Sequence, residues 1–166
     1  MKIHNEFQQG SVEWLEAHCG IPTASEFDAL VTPKFEPRKG EMPKTYLAKK
    51  LAEAWGGPLI GFGGSWFTEQ GQILEGEARP WLQFQYGWKI DTVGFCTTDD
   101  GRIGCSPDGL LEGGEGGVEI KCPEAPTHIK YLLNDELPAD YAAQVHGSML
   151  VTGAKSWTFV SYRPKK

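Results

Sequence analysis

The chain has 166 residues, of which 40% are hydrophobic and 23% are charged, and these proportions exclude disordered, collagen-like and coiled-coil chains. Sixteen basic and twenty-two acidic side chains give a net charge of −6, which excludes a protein that binds DNA simply by coating its phosphates with positive charge. A chain of this length is expected to form one domain, over residues 1–166. No apolar run reaches the roughly 18 residues of a membrane span, so we expect no membrane partner. The first residues lack the apolar stretch of a signal peptide, so we expect the protein in the cytoplasm.

The first third of the chain predicts helices. Ser11 is suited to cap a short helix, and residues 23–26 have the form of a capping box ahead of a second one. Pro43 suits the first turn of a third helix, which should end where the glycine-rich passage 56–64 begins. The apolar face of that helix should consist of Leu47, Leu51, Ala54 and Trp55.

A basic loop at residues 33–40 precedes the third helix. The basic residues of this region are Lys34, Arg38, Lys39, Lys44, Lys49 and Lys50. Because the whole chain is acidic, a DNA partner requires positive charge that is concentrated locally, and we expect these residues to supply that groove. The alternative is an ordinary basic loop in water.

The second half of the chain changes from helical to alternating hydrophobic patterns. Residues 68–86 still predict a helix, in which Pro80 should cause a kink or a restart. Strands are predicted at 92–96, 102–105, 117–122 and 156–162, with a helix at 138–151 before the last of them. This order predicts a mixed α/β fold, a small mixed sheet flanked by helices with an N-terminal helical cap.

The four cysteines, Cys19, Cys96, Cys105 and Cys122, include no Cys-x-x-Cys pair. Their spacing excludes a zinc ribbon and an iron–sulfur site with clustered ligands. Scattered cysteines in a chain without an export signal are most often reduced and buried, and we expect the same here.

The strand predicted at 117–122 places two opposite charges on one face. Side chains alternate along a strand, so Glu119 and Lys121 share a face while Val118 and Ile120 lie on the other. Such charges commonly form an ion pair on an edge strand in water, where the pair contributes little stability.

An aspartate upstream favours a catalytic site instead. Asp108, in Ser-Pro-Asp-Gly, lies eleven residues before Glu119, and the glycine-rich turn between them suits a hairpin that brings the two carboxylates together. Two carboxylates bind a hard divalent cation, and Lys121 can orient and help to deprotonate a water nucleophile. Taken alone the pattern is weak evidence, since Pro-Asp-Gly is also a common turn.

Five ordered segments of the chain carry a resemblance to one enzyme family. They lie at residues 14–25, 71–79, 105–110, 118–123 and 143–152, and include Gly-Ile-Pro-Thr-Ala-Ser, Cys-Ser-Pro-Asp-Gly-Leu and Val-Glu-Ile-Lys-Cys-Pro. In this order and spacing the chain resembles the lambda-type phage exonucleases, also called YqaJ-like viral recombinases, of the PD-(D/E)XK nuclease superfamily. The resemblance covers residues 10–164 and implies a restriction-endonuclease-like core.

The resemblance implies a metal-dependent catalytic site. Asp108 and Glu119 would bind Mg²⁺ or Mn²⁺, with the carbonyl of Ile120 as a backbone ligand, and Lys121 would serve the attacking water.

Two further residues join this site by resemblance. Glu75 would complete the acidic cluster, and Gln144 would approach it from the late helix. Without the resemblance, Glu75 is better interpreted as a solvated carboxylate paired with Arg79 at i+4, and Gln144 as an ordinary helix hydrogen-bonding residue.

A pocket for a 5′-terminal phosphate is also implied. Ser25 and Ser106 match family positions for it, and a helix N-terminus near Ser25 would itself favour an anion; a cap or a turn is the ordinary role of either serine. The family commonly has arginine where this chain has His18, and a histidine binds phosphate as a cation only when it is protonated. Arg38 and Lys39 are expected to contact DNA.

The resemblance implies a magnesium-dependent exodeoxyribonuclease that degrades one strand of linear duplex DNA from 5′ to 3′ and leaves 3′ tails for phage-type recombination. It also implies a single-strand annealing protein as partner, a homo-oligomer in the form of a trimeric ring, and a phage or prophage protein in a bacterial cytoplasm. Relatives carry further C-terminal helices after the last strand, and we expect the α/β core to self-associate without them.

Two other functions stay open. One is a structure-specific or restriction-like endonuclease on the same core, which a covalently closed substrate would distinguish. The other is a non-catalytic module that binds DNA ends, against which the intact Asp108, Glu119 and Lys121 argue.

Overall fold

The computed structural model describes residues 1–57 and 66–164, with side chains from residue 71 onward in the second part. The predicted glycine-rich passage lies outside the described residues from residue 58. The helices are α1 (Val12–His18), a 3-10 helix (Ala24–Ala29), α2 (Glu41–Gly56), α3 (Trp66–Tyr86), α4 (Ala125–Asn134) and α5 (Ala139–Thr152). The strands are β1 (Lys2–His4), β2 (Ile90–Asp91), β3 (Phe95–Thr97), β4 (Gly104–Cys105), β5 (Gly109–Leu111), β6 (Gly116–Lys121) and β7 (Ser156–Ser161).

The strands form two small sheets, as the mixed α/β prediction requires. One has the order β1-β3-β4 and is antiparallel, and the other has the order β2-β5-β6-β7. In the second sheet β6 pairs antiparallel with β5 and parallel with β7, and the crossover between β6 and β7 contains α4 and α5. Because β6 is an interior strand, the interpretation of Glu119 and Lys121 as an edge-strand ion pair is wrong.

The hairpin predicted between Asp108 and Glu119 is confirmed. Gly109 lies opposite Val118 and Leu110 opposite Gly117. The connecting turn includes Gly113 and Gly114, whose φ angles of +88° and +71° lie in the left-handed region that favours glycine. The same register places Asp108 beside Glu119, at the end where the hairpin opens.

Helix α3 packs against β6, and helix α5 packs against the 3-10 helix. Ala78 and Leu82 of α3 are buried in one cluster with Val118 and Ile120 of β6. The other large packing surface joins α5 to the 3-10 helix, where a side chain at Gly147 would come within 2.5 Å of the Phe27 ring. Helix α3 therefore covers the face of β6 opposite Glu119, whereas α5 reaches the Glu119 face, where Gln144 Nε2 donates to Glu119 Oε1.

Several predicted elements differ from the structure. Residues 23–26 begin a single 3-10 helix, and the Thr23 hydroxyl hydrogen-bonds to Ser25 Oγ (3.3 Å) and Glu26 Oε2 (3.4 Å) without capping the helix. Pro80 lies inside a continuous α3, so the predicted restart is wrong. The sequence patterns missed β1, β2, β5 and α4, and the strand predicted from residue 92 begins at Phe95.

The expected apolar face of α2 is not its buried face. Leu47, Leu51 and Trp55 are exposed, whereas the buried residues are Tyr46, Lys50 and Glu53. All four cysteines are free thiols; Cys96 and Cys105 are buried opposite each other in β3 and β4, and the other two are half-buried. None of the described helices is long and apolar enough to cross a membrane.

Candidate active site

The open end of the β5–β6 hairpin holds two buried carboxylates. Asp108 is 8% exposed and Glu119 is 2% exposed. The Asp108 Oδ2 atom accepts a hydrogen bond of 2.6 Å from the Ile120 amide, which ties this carboxylate to β6. Arg79 of α3 donates from Nε to the Asp108 carbonyl oxygen at 2.8 Å. The backbone around Asp108 is therefore held by both the sheet and α3.

Lys121 and Gln144 converge on Glu119. The Glu119 Oε1 atom accepts hydrogen bonds from Lys121 Nζ at 2.5 Å and from Gln144 Nε2 at 2.6 Å. The Lys121 ammonium also lies 5.4 Å from the centre of the Tyr141 ring, a cation–π contact. Tyr141 was missed in the sequence, although it lies one helical turn before Gln144 and so shares its face of α5.

Glu75 approaches the same charges from α3. It is half-buried, and burial, followed by the charge of Asp108, raises its pKa to about 7. Arg79 lowers that pKa by its charge, but its Nε atom is bonded to the Asp108 carbonyl. The burial and the influence of Asp108 argue against a solvated carboxylate paired only with Arg79.

The charge of Asp108 raises the pKa values of both glutamates. Burial and then the charge of Asp108 raise the pKa of Glu119 to about 7, and burial raises the pKa of Asp108. Burial alone would lower the pKa of Lys121, but the charge and hydrogen bond of Glu119 outweigh it, so that the pKa rises and the ammonium keeps its proton. The site thus combines a fixed cation with carboxyl groups whose ionisation is disfavoured near neutral pH and would be favoured by further positive charge.

This donor set fits a hard divalent cation. Carboxylate and carbonyl oxygens are the ligands that Mg²⁺ and Mn²⁺ prefer, and a cation would relieve the repulsion between Asp108 and Glu119. Across residues 1–57 and 66–164, no three His, Cys, Asp or Glu side chains already converge as a complete metal site. Asp108 and Glu119 would be the principal protein ligands, with the Ile120 carbonyl and Glu75 as further oxygen donors.

A second group of candidates meets at the helical cap. Ser106 Oγ lies 3.1 Å from both Trp14 Nε1 and His18 Nε2. Ser25 is exposed at the start of the 3-10 helix, and its segment is joined to β4 because Gly104 N donates to Pro22 O at 2.9 Å. The structure therefore brings Ser106 into contact with His18 and places the Ser25 segment alongside the strand that leads to Ser106.

His18 is enclosed in this group. Its Nδ1 atom is 2.6 Å from the Trp14 carbonyl oxygen, and its ring lies 3.9 Å, centre to centre, from both Trp14 and Phe95. Burial lowers the pKa of His18 below its ordinary value of 6.5. Burial therefore favours the uncharged, hydrogen-bonded ring, and His18 does not offer the fixed cation that an arginine at this position would.

The predicted basic groove is smaller than expected. Lys44 pairs with Glu41, Lys49 with Glu26, and the buried Lys50 with both Glu26 and Glu53. These pairings offset much of the positive charge of the three lysines, so the structure favours the loop residues over them as the source of free positive charge.

The basic loop retains exposed charge. Lys34 and Lys39 are exposed, and the half-buried Arg38 donates from Nε to the Asp28 carbonyl at 2.8 Å. Arg38 lines a cleft together with the first residues of α5, among them Ala139 and Asp140.

Comparison with known proteins gives a consistent result. The family model of the YqaJ-like viral recombinase domain matches residues 13–155. The crystal structure of the alkaline exonuclease LHK-Exo from Laribacter hongkongensis is similar at 29% identity and a TM-score of 0.79, covering 92% of this chain and 74% of that one. LHK-Exo in complex with dAMP gives the same identity and coverage with a TM-score of 0.80. No protein of curated function matches the chain.

Proposed function

Because the chain belongs to the family of YqaJ-like viral recombinase domains, and is a nuclease of that family, we propose that it is a metal-dependent exonuclease that digests linear duplex DNA from 5′ to 3′. The observation that carries the proposal is the pair of buried carboxylates, Asp108 and Glu119, with Lys121 and Gln144 both hydrogen-bonded to Glu119. LHK-Exo is an alkaline exonuclease, and its complex contains dAMP, a mononucleotide of the kind that exonucleolytic cleavage of DNA releases.

The metal would be Mg²⁺ or Mn²⁺, held by Asp108 and Glu119 with the Ile120 carbonyl and Glu75. When bound, such an ion supplies Lewis-acid stabilisation of the phosphoryl oxygens and acidifies a water molecule. The charged residues around Asp108 and Glu119 would define the position of this ion and the polar groups that contact the water.

Lys121 acts as a cation in this mechanism. Its raised pKa means that it carries its proton at neutral pH, so it can donate hydrogen bonds to the attacking water or to developing negative charge but cannot accept a proton. Glu75 would share in holding the ion, and its charge, together with those of Glu119 and Asp108, helps to keep Lys121 protonated. Gln144 and the Tyr141 ring hold Glu119 and Lys121 in their relative positions.

The polarity of digestion would come from recognition of the 5′-terminal phosphate by Ser25 in the helical cap and by Ser106, which follows β4. Arg38 and Lys39 would contact the DNA backbone. Digestion of one strand would leave 3′ single-stranded tails for recombination, taken up by a single-strand annealing protein. By the same resemblance we propose a ring-shaped homo-oligomer, encoded by a phage or prophage and working in the bacterial cytoplasm.

Digestion of end-labelled duplex DNA tests the function. With Mg²⁺ or Mn²⁺, a linear 5′-phosphorylated duplex should be shortened from its 5′ ends to mononucleotides, EDTA should stop the reaction, and a covalently closed circle should stay intact. Cleavage of the circle would favour an endonuclease, and binding of ends without cleavage would favour a non-catalytic module. The Asp108→Ala variant controls for contaminating nucleases.

A further inference from the structure

A chain of hydrogen bonds joins Trp14, His18 and Ser106. A carbonyl oxygen only accepts, so the 2.6 Å contact between His18 Nδ1 and the Trp14 carbonyl requires a hydrogen on Nδ1. The Trp14 indole N–H only donates, and it is shared between Ser106 Oγ and the Gly94 carbonyl, each at 3.1 Å. These two contacts fix the tautomer of the neutral ring and one of the roles of the hydroxyl.

The remaining contact depends on the charge of the ring. When His18 is neutral with its hydrogen on Nδ1, Nε2 is an acceptor, and the Ser106 hydroxyl must donate to it across 3.1 Å. The hydroxyl has one hydrogen, which is then unavailable to an anion. When His18 is protonated, Nε2 donates to Ser106 Oγ, and the hydroxyl hydrogen is released toward whatever lies beside it.

We propose that His18 is a positioning residue that controls whether Ser106 can donate a hydrogen bond to a 5′-terminal phosphate, so that recognition of this end group depends on protonation of His18. The proposal rests on the proposed function in so far as that function places the phosphate at Ser106. It assigns His18 an action through Ser106 and not a direct contact with the phosphate.

The packing of His18 supports this indirect role. The ring is held between Trp14 of α1 and Phe95 of β3, each 3.9 Å away centre to centre, so it cannot turn toward a ligand without breaking its packing against both rings. Both ring nitrogens already have partners. A change in the protonation of the ring can therefore alter the hydrogen bonding of Ser106, but the ring itself does not contact the phosphate.

The charges that face His18 come from the helical cap. Lys50 of α2 disfavours its protonation, while Glu26 of the 3-10 helix and Glu53 of α2 favour it, and burial has the largest effect. A phosphate dianion at Ser106 would add negative charge on the remaining side. By linkage, phosphate binding and protonation of His18 should strengthen each other. An arginine at this position would carry the same charge at every pH.

The first test compares digestion rates of 5′-phosphorylated and 5′-hydroxyl duplexes between pH 6.5 and 9. The wild-type preference for phosphorylated ends should fall by about tenfold as pH rises, the expected effect of one charge-assisted hydrogen bond. His18→Gln offers Ser106 an amide donor at all pH values, so its preference should not fall. Ser106→Ala should have a low preference throughout, and His146→Gln, which alters an exposed histidine of α5, should behave as wild type.

The ratio of the two rates separates the effect from other titrations. The terminal phosphate has a second pKa of about 6, but it titrates equally with wild type and His18→Gln. Metal binding affects both substrates and cancels in the ratio. Equal, pH-independent preferences in wild type and His18→Gln would overturn the inference while leaving the proposed function intact, whereas no digestion of either duplex by wild type would overturn the proposed function.

The second test observes the ring directly in the cleavage-deficient Asp108→Ala variant. Imidazole ¹⁵N shifts should show hydrogen on Nδ1 in the free protein, and a 5′-phosphorylated duplex should raise the pKa of His18 relative to a 5′-hydroxyl duplex. Hydrogen on Nε2, or the same pKa with both duplexes, would contradict the inference whether or not the protein proves to be an exonuclease.

Discussion

Glu119 shows how a single residue organises the site. Its carboxylate is almost fully buried, yet Oε1 accepts hydrogen bonds from side chains of two elements, Lys121 of β6 and Gln144 of α5. Burying a carboxylate is costly unless it is paired, so these donors are needed even without a ligand. They do not neutralise Asp108 and Glu75 as well, which is why added positive charge is favoured there.

The first prediction separates metal binding from the handling of water. Asp108→Ala should abolish cleavage and weaken Mn²⁺ binding, because it removes a proposed ligand. Lys121→Ala should lower cleavage nearly as far while leaving Mn²⁺ binding largely intact, because the lysine is a donor and not a ligand. Cleavage rates combined with calorimetric Mn²⁺ titrations measure both effects. Full activity of Asp108→Ala would show that the site has been placed wrongly.

The second prediction follows from the raised pKa values of Glu75 and Glu119. Both carboxyls have an unperturbed pKa of 4.5 and a folded pKa of about 7. Folding therefore favours their protonated forms, and the stability that this gives is present in full below pH 4.5 and is lost as pH rises to about 7. The metal-free protein should lose thermal stability over that range.

Added Mg²⁺ should reverse this loss, because it binds the ionised carboxyls. Thermal melts should show a larger increase in Tm on Mg²⁺ addition at about pH 8 than at about pH 5.5. Glu119→Gln cannot ionise at this position, so it should show a flatter pH dependence and a smaller response. An equal response of the wild type at the two pH values would contradict the pKa argument.

At the residue scale, the sequence predicts contacts that a single hairpin creates. Asp108 and Glu119 meet because a glycine-rich turn joins adjacent strands, and that pattern is visible in the sequence. The group of Trp14, His18 and Ser106 depends on contacts between α1 and the segment after β4. These segments are far apart in the sequence, so a local hydrophobic pattern cannot predict their contacts. The resemblance supplied Ser106 and His18 as candidates but not the hydrogen bonds between them.

At the scale of elements, α2 shows why a hydrophobic pattern can predict a helix correctly and its buried face wrongly. The apolar spacing identified the helix, but its buried side contains Lys50 and Glu53. Lys50 bonds to Glu26 at 2.8 Å and to Glu53 at 3.0 Å, and Tyr46 donates to Glu26 at 3.3 Å. Partners on another element make this burial possible, and a pattern confined to one helix cannot reveal them.

The third prediction concerns this ion network. Lys50→Met should lower the free energy of unfolding by about 2 kcal/mol, because it removes the buried ammonium that pairs with the buried Glu53 and the half-buried Glu26. The loss is smaller than that of an isolated buried pair because Lys49 still lies 2.5 Å from Glu26 and 4.0 Å from Glu53. Lys44→Met is the matched control, since Lys44 pairs with Glu41 on the exposed side of the same helix, and it should cost less than about 1 kcal/mol. Urea unfolding measures both, and equal effects would mean that the buried network is not stabilising.

The fourth prediction concerns the basic loop between the 3-10 helix and α2. Arg38 and Lys39 are its proposed DNA-binding residues, and replacing both with glutamate should weaken duplex binding. The slope of the logarithm of the binding constant against the logarithm of salt concentration should become shallower by about one for each DNA phosphate that the loop no longer neutralises. Lys44→Glu is the control, because Lys44 already pairs with Glu41 and is not expected to touch DNA. An unchanged slope in the double variant would place the groove elsewhere.

At the scale of the whole molecule, large apolar side chains remain on helix surfaces. Exposed examples are Leu47, Leu51 and Trp55 on α2, Phe84 on α3, and Leu132 and Leu133 on α4. On α2 these residues are spaced four apart and so share one face of the helix. An exposed apolar face of this kind favours contact with another macromolecule. We interpret them as surfaces for self-association, because one domain of this size cannot enclose a duplex and family resemblance suggests a ring.

The last prediction is therefore that the protein self-associates through its α/β domain. Light scattering at working concentration should give a mass that is a multiple of the 18.3 kDa chain, and digestion of long DNA should be processive because an enclosed duplex cannot diffuse away between cleavages. Leu51→Glu places a charge on the apolar surface of α2, and Leu133→Glu places one on that of α4. The variant that dissociates the assembly identifies the interface. That variant should digest long DNA distributively while still cleaving short duplexes. Ala52→Glu, also at an exposed position of α2, tests whether added charge alone has this effect. A wild-type mass of 18.3 kDa combined with distributive digestion would contradict self-association.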